Sequence, residues 1–201
     1  MDESQPIKPM LKIIRAKNIK RKLNIVNKGT GAGGSNTNKT GLSYEDITAL
    51  HEHIIKVKTC KNSNDIVFRG NDLVFKMTKK AGLFKCMHDK INNEIQKAHG
   101  CKNPDECYIN EDSKTMFIIE KKFQQTPGSV CEKIQTHDFK IWQYSRTFPD
   151  YKIVYMYCLS DWFKDNCKAE LEYAEVKNVP IFWGNTTTYK EDVIKFMINY
   201  K

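Results

Sequence analysis

Pro104-Asp105-Glu106-Cys107-Tyr108-Ile109-Asn110 is followed, after Glu111-Asp112-Ser113-Lys114, by Thr115-Met116-Phe117-Ile118-Ile119-Glu120-Lys121-Lys122-Phe123. The flanking runs have strand composition and the polar tetrapeptide between them has turn chemistry. The spacing therefore predicts a strand pair over 105–110 and 115–123. Side chains alternate faces along a strand. Glu120 and Lys122 share one face, joined by Gln124 if the strand continues, while Phe117, Ile119 and Phe123 turn into a core. Folding the hairpin through 111–114 carries Asp105 back to the end of the second strand. Two carboxylates and one ammonium then converge at one edge of the sheet.

Such a cluster suits phosphodiester hydrolysis. Mg2+ is a hard ion that takes carboxylate oxygens and phosphate oxygens. It polarises a phosphoryl group and acidifies water, and a nearby lysine can orient that water and offset phosphate charge. A lone Glu-x-Lys is equally what a solvated strand face carries. The preceding Pro-Asp and the apolar approach to Glu120 weigh against that, and on these residues alone both readings stand.

Outward from the hairpin, residues 65–77 read as strand, turn, strand around Gly70-Asn71. Residues 83–98 step apolar four at a time (Leu83, Met87, Ile91, Ile95) and predict a helix. Beyond Pro127-Gly128, Ser129-Val-Cys-Glu132 reads as a capping box for a helix to about Tyr144. A strand over Lys152–Leu159, a polar helix near 166–176, a short strand at 179–183 and a helix over 190–200 complete the C-terminal half. Upstream, residues 1–27 form a basic segment with a plausible cationic helix over 7–27. Residues 28–41 form a Gly/Asn-rich loop, and Ser43 caps a following helix that carries His51 and His53. The expected class is α/β (α+β), a single domain over 1–201 with a mixed central sheet flanked by helices.

The Pro-Asp, gap, Glu-x-Lys pattern resembles the signature of the PD-(D/E)XK nucleases. Around it, Pro104-Asp-Glu-Cys-Tyr-Ile and Ile119-Glu-Lys-Lys-Phe-Gln are similar to its type II restriction endonuclease branch. So are Gly128-Ser-Val-Cys-Glu-Lys-Ile-Gln-Thr, Tyr157-Cys-Leu-Ser-Asp-Trp-Phe and Gly41-Leu-Ser-Tyr-Glu45. The matching segments spread over roughly residues 30–165. The resemblance implies an αβββαβ core and Mg2+-dependent cleavage of both strands of duplex DNA at a short palindrome, with Mn2+ able to substitute. It implies a homodimer acting inside a bacterial or virus-infected cell. By it, Asp105 and Glu120 hold the metal, Lys122 serves the attacking water, and Glu45 adds a helix carboxylate. Glu45 read by itself is an ordinary first-turn acid.

DNA contacts are expected from Ser35, Asn36, Asn38 and Lys39, since Asn pairs with adenine and Lys with guanine or phosphate. Gln124, Lys133 and Gln135 are further candidates, although a flexible linker and solvated helix positions are the bland alternatives. The same Gly33–Thr40 stretch is a near miss to a phosphate-binding loop, with Asn38 where the second glycine belongs. Two other readings remain: a structure-specific repair or recombination nuclease, and a non-catalytic basic nucleic-acid-binding protein.

Charge agrees with a polyanionic partner: 33 Lys and Arg against 24 Asp and Glu give +9. The seven cysteines are odd in number and form no Cys-x-x-Cys pair. The expectation is free thiols in a reducing compartment, with neither a disulfide framework nor a thiolate zinc site. No apolar run approaches the length of a membrane span, and the N-terminus lacks the apolar core of a signal peptide.

Overall fold

The computed structural model of the chain describes residues 35–91, 97–127 and 129–200. The basic segment 1–27 and residues 28–34 of the Gly/Asn-rich stretch lie outside the described residues. Seven strands form one sheet in chain order: β1 (Ile54–Thr59), β2 (Asn64–Phe68), β3 (Val74–Thr78), β4 (Glu106–Asn110), β5 (Thr115–Lys122), β6 (Lys152–Leu159) and β7 (Ile181–Trp183). Strands β1 to β5 are antiparallel, and β5, β6 and β7 are parallel. The sheet is thus mixed and helix-flanked, as the sequence predicts.

Local chemistry explains the switch. Gly70, at φ 77°, supplies the left-handed turn residue between β2 and β3, and Lys114 closes the β4–β5 turn at φ 50°. Parallel neighbours need long crossovers. Helices α3 (Val130–Ile134) and α4 (His137–Thr147) connect β5 to β6, and α5 (Trp162–Asn166) and α6 (Lys168–Val176) connect β6 to β7.

Strand alternation divides the core in two. Cys107, Ile109, Met116, Ile118, Tyr155 and Tyr157 pack on one face with Leu83 and Met87 of α2 (Gly82–Ile91), Tyr144 of α4 and Phe163 of α5. Tyr108, Phe117, Ile119, Met156 and Cys158 pack on the other, with Tyr44 of α1 (Ser35–Ile47) and Tyr189, Val193 and Met197 of α7 (Tyr189–Asn199). Truncating a central residue such as Ile118 or Met156 to Ala costs about 2–5 kcal/mol.

Several expectations are corrected. Helix α1 begins at Ser35, so residues 35–41 are helical and not loop, and Ser43 lies inside the helix instead of capping it. Asn, Thr and Gly are poor helix formers, but docking of Tyr44 overrides them. The approach is close: a Cβ on Gly184, just past β7, would overlap the Tyr44 hydroxyl and lie 2.8 Å from Thr48 Cγ2. Thr48 Oγ1 donates back to the Tyr44 carbonyl at 2.6 Å, just past the helix end. His51–His53 form a 3-10 turn leading into β1, a strand that the sequence reading passed over. The helix expected from Ser129 is two helices, and Ser129 makes no side-chain cap. Cys131 and Cys167 are joined in a disulfide, against the expectation of free thiols throughout, while Cys60, Cys86, Cys101, Cys107 and Cys158 are free. Among the described residues no helix is long and apolar enough to cross a membrane.

Candidate active site at the end of the sheet

The carboxyl ends of β5, β6 and β7 lie together with the start of β4 and the end of β3, because β4 runs against both its neighbours. In open sheets with parallel strands, ligands favour the crevice at the strands' carboxyl ends. Glu106 pairs with Ile119, so Asp105, one residue earlier, stands opposite Glu120. Asp105 Oδ2 accepts the Lys121 backbone N–H at 2.8 Å, which fixes the carboxylate against β5.

Lys122 lies between the two acids. Its Nζ is 2.6 Å from Glu120 Oε1 and 4.0 Å from Asp105 Oδ2, and it donates to the Lys121 carbonyl at 3.1 Å. The structure therefore brings Asp105, Glu120 and Lys122 together. A fourth member was missed from sequence: Lys140 of α4 donates to Glu120 Oε1 at 3.0 Å and to the Tyr155 hydroxyl at 3.1 Å. It is 20 residues away along the chain, and no spacing rule links the two positions.

Burial pushes the Asp105 carboxyl above its ordinary range, opposed by Lys122 and the Lys121 amide and reinforced by the charges of Glu120 and Glu45. Burial acts the same way on Glu120, but the Lys122 and Lys140 ammoniums outweigh it and hold that carboxyl below the usual range. Two carboxyls with oppositely displaced pKa values at the end of the sheet are typical of functional sites, although ion-pair networks do this too.

On the opposite face of β5, Lys121 reaches Glu106 Oε1 at 3.1 Å and the Glu45 carbonyl at 3.1 Å. Lys79 holds the same Glu106 oxygen at 3.1 Å. Glu45 shares a cavity of about 150 Å3 with Asp105, yet its carboxylate is paired with Lys80 at 3.1 Å. Among the described residues, the one group of three acid, His or Cys ligand atoms all within 4.8 Å of one another is Cys131, Cys167 and Glu170, whose sulfurs form the disulfide. Glu45 therefore borders Asp105 without completing a three-acid cage.

The donor set fits a hard divalent cation. Glu120 Oε1, Asp105 Oδ2 and the Lys121 carbonyl already surround one cationic group, the Lys122 ammonium. All are oxygens, which suit Mg2+ or Mn2+ better than a thiolate-seeking metal.

The remaining expected contacts fall elsewhere. Ser35, Asn36, Asn38 and Lys39 lie in the first turns of α1, with side chains outside the described residues. Strand β5 ends at Lys122, so Gln124 does not continue its face; the Gln124 side chain donates to the Thr126 carbonyl at 2.6 Å. Gln135 donates to Glu170 Oε1 at 3.2 Å, and Lys133 is exposed. No family model, curated protein or solved structure matches this chain.

Proposed function

We propose that the chain is a Mg2+-dependent endonuclease of the PD-(D/E)XK restriction type, hydrolysing phosphodiester bonds in both strands of duplex DNA at a short palindrome. One observation carries the reading: the Lys122 ammonium stands between the Asp105 and Glu120 carboxylates at the end of the sheet. The +9 charge supports a polyanionic substrate.

Asp105 and Glu120 are the residues that hold the ion, with the Lys121 carbonyl beside them. Mg2+, or Mn2+ in its place, supplies stabilisation of the charge that develops on the phosphoryl oxygens. Lys122 Nζ, held by Glu120, donates hydrogen bonds that orient the attacking water and offset phosphate charge. Lys140, braced on Tyr155, fixes the Glu120 rotamer. The Lys121 N–H holds Asp105 in register with Glu120. Double-strand cleavage of a palindrome is simplest with a homodimer whose two-fold axis coincides with that of the site.

Digestion of a plasmid of known sequence with Mg2+, followed by sequencing of the fragment ends, tests this. Discrete fragments mean sequence readout, and cuts confined to forks or flaps mean a structure-specific nuclease. Binding without cleavage in any divalent metal means a non-catalytic DNA-binding protein. Glu120→Gln keeps shape and removes an anionic ligand. A loss of ~4 kcal/mol of transition-state stabilisation is about a thousandfold in rate. Near-wild-type single-turnover cleavage by this variant rules the site out.

A further inference from the structure

A second feature lies at the same end of the sheet, beyond β3. A groove of about 710 Å3 runs between the β1–β2 turn and the start of α2, and Lys56, Lys61, Lys79 and Lys85 line it with no Asp or Glu among the described lining residues. Lys56, Lys61 and Lys85 are exposed and form no ion pair with any described residue. Soluble protein surfaces usually intersperse the two signs of charge. Here like charges are concentrated around a concavity, where their fields add and draw in an anion.

One residue connects the groove to the carboxylate site. Lys79 lines both this groove and the smaller cavity that contains Asp105. Its ammonium is fixed by Glu106 Oε1 at 3.1 Å and by His51 Nε2 at 3.1 Å. Lysines are point charges on flexible stems and read phosphate charge, not the donor–acceptor pattern of a base.

We infer that this groove is a binding site for backbone phosphates of the nucleic-acid strand flanking the scissile bond. The inference rests on the proposed nuclease reading and extends it: the β1–β3 side anchors the substrate without reading its sequence, and the carboxylate site at the ends of β4 and β5 cuts. Of the DNA contacts expected from sequence, Gln124, Lys133 and Gln135 do not line it.

The test uses the full chain with the double variant Lys61→Glu/Lys85→Glu. Binding to a labelled non-specific duplex is followed by fluorescence anisotropy in EDTA over a range of salt. Each phosphate contact contributes about 0.9 to the slope of log K against log salt. The double variant should therefore flatten the slope by about 2 and weaken low-salt binding by roughly 10–100-fold. Lys168→Glu/Lys195→Glu makes the same charge change at exposed positions on α6 and α7, and it should leave the slope nearly as in the wild type. An unchanged slope for Lys61→Glu/Lys85→Glu, or an equal flattening in both double variants, overturns the groove. Glu120→Gln separates the two proposals. If it cuts like the wild type while Lys61→Glu/Lys85→Glu alone loses binding, the groove stands and the active-site assignment falls. If it is inactive while the groove variant binds normally, only the groove falls. If the wild type does not bind DNA, both fall.

Discussion

Lys121 and Lys122 are chain neighbours whose ammoniums finish on opposite faces of β5, Lys121 3.1 Å from Glu106 Oε1 and Lys122 2.6 Å from Glu120 Oε1. The Lys121 and Glu106 side chains are only 1% and 3% exposed. Removing one partner of a buried pair leaves an uncompensated charge at a cost of about 3–5 kcal/mol. Lys79 remains on Glu106, so Lys121→Met is expected near the lower end of that range in urea denaturation. Lys122→Met, whose partner Glu120 keeps Lys140, should cost far less stability and most of the cleavage rate. A stable Lys121→Met protein, or a Lys122→Met protein with full turnover, would contradict this division of labour.

Asp105 and Glu120 should also separate in their linkage to pH. The Glu120 pKa is lowered from 4.5 in the folded protein. Its stabilisation is present above the ordinary value and is lost as pH falls through the lowered one. The Asp105 pKa is raised from 3.8. Ionising it costs the folded state, so stability is lost as pH rises from 3.8 through the raised value. In EDTA at pH 7, Asp105→Asn should therefore raise the Tm. Glu120→Gln should lower it, by about 1–3 kcal/mol in stability, because two lysines lose their anion. Thermal melts that move both variants in the same direction would count against the opposed shifts.

The site's two-strand frame was legible because strand alternation and a four-residue turn are local signals: Asp105, Glu120 and Lys122 follow from the hairpin alone. What was not legible depends on tertiary contact. Lys140 meets Glu120 only because α4 packs over β6, and nothing near Lys140 in the chain marks it. Glu106 and Lys121 look like solvated residues, and their burial follows from α1 covering that edge. The start of α1 was misread because its Asn, Thr and Gly residues carry loop propensity, which the Tyr44–Gly184 approach overrides. Pairing of Cys131 with Cys167 has no sequence rule, since seven cysteines without a motif allow many partners.

That disulfide spans a sequence separation of 36 and ties α3 to the start of α6. Cross-linking a loop of this length stabilises by roughly 3–4 kcal/mol in the chain-entropy description. Reduction with dithiothreitol, or Cys131→Ser, should lower stability by up to that amount. Five other thiols are free, three of them buried, so mass spectrometry after alkylation of the unreduced protein in urea should find five cysteines modified. Seven modified cysteines, with no change of Tm on adding reductant, would show the pair unbonded in solution.

Lys140 gives the most discriminating test of the metal reading. Its ammonium and that of Lys122 both lie on Glu120 Oε1, at 3.0 and 2.6 Å. Any divalent ion taking that oxygen must compete with them. Lys140→Met keeps most of the stem's packing and removes one competitor. An exchange of about 1 kcal/mol in a partly buried pair is roughly a fivefold change in an equilibrium constant. The Mg2+ concentration for half-maximal cleavage should therefore fall several-fold, while the rate at saturating Mg2+ drops modestly because Glu120 loses its brace from Tyr155 and α4. Titrating cleavage against Mg2+ for the wild type and Lys140→Met reads both quantities. A rise in the half-saturating concentration would mean that Lys140 positions Glu120 for the ion instead of competing with it. No change in either quantity would mean that Lys140 neither competes for the ion nor braces Glu120.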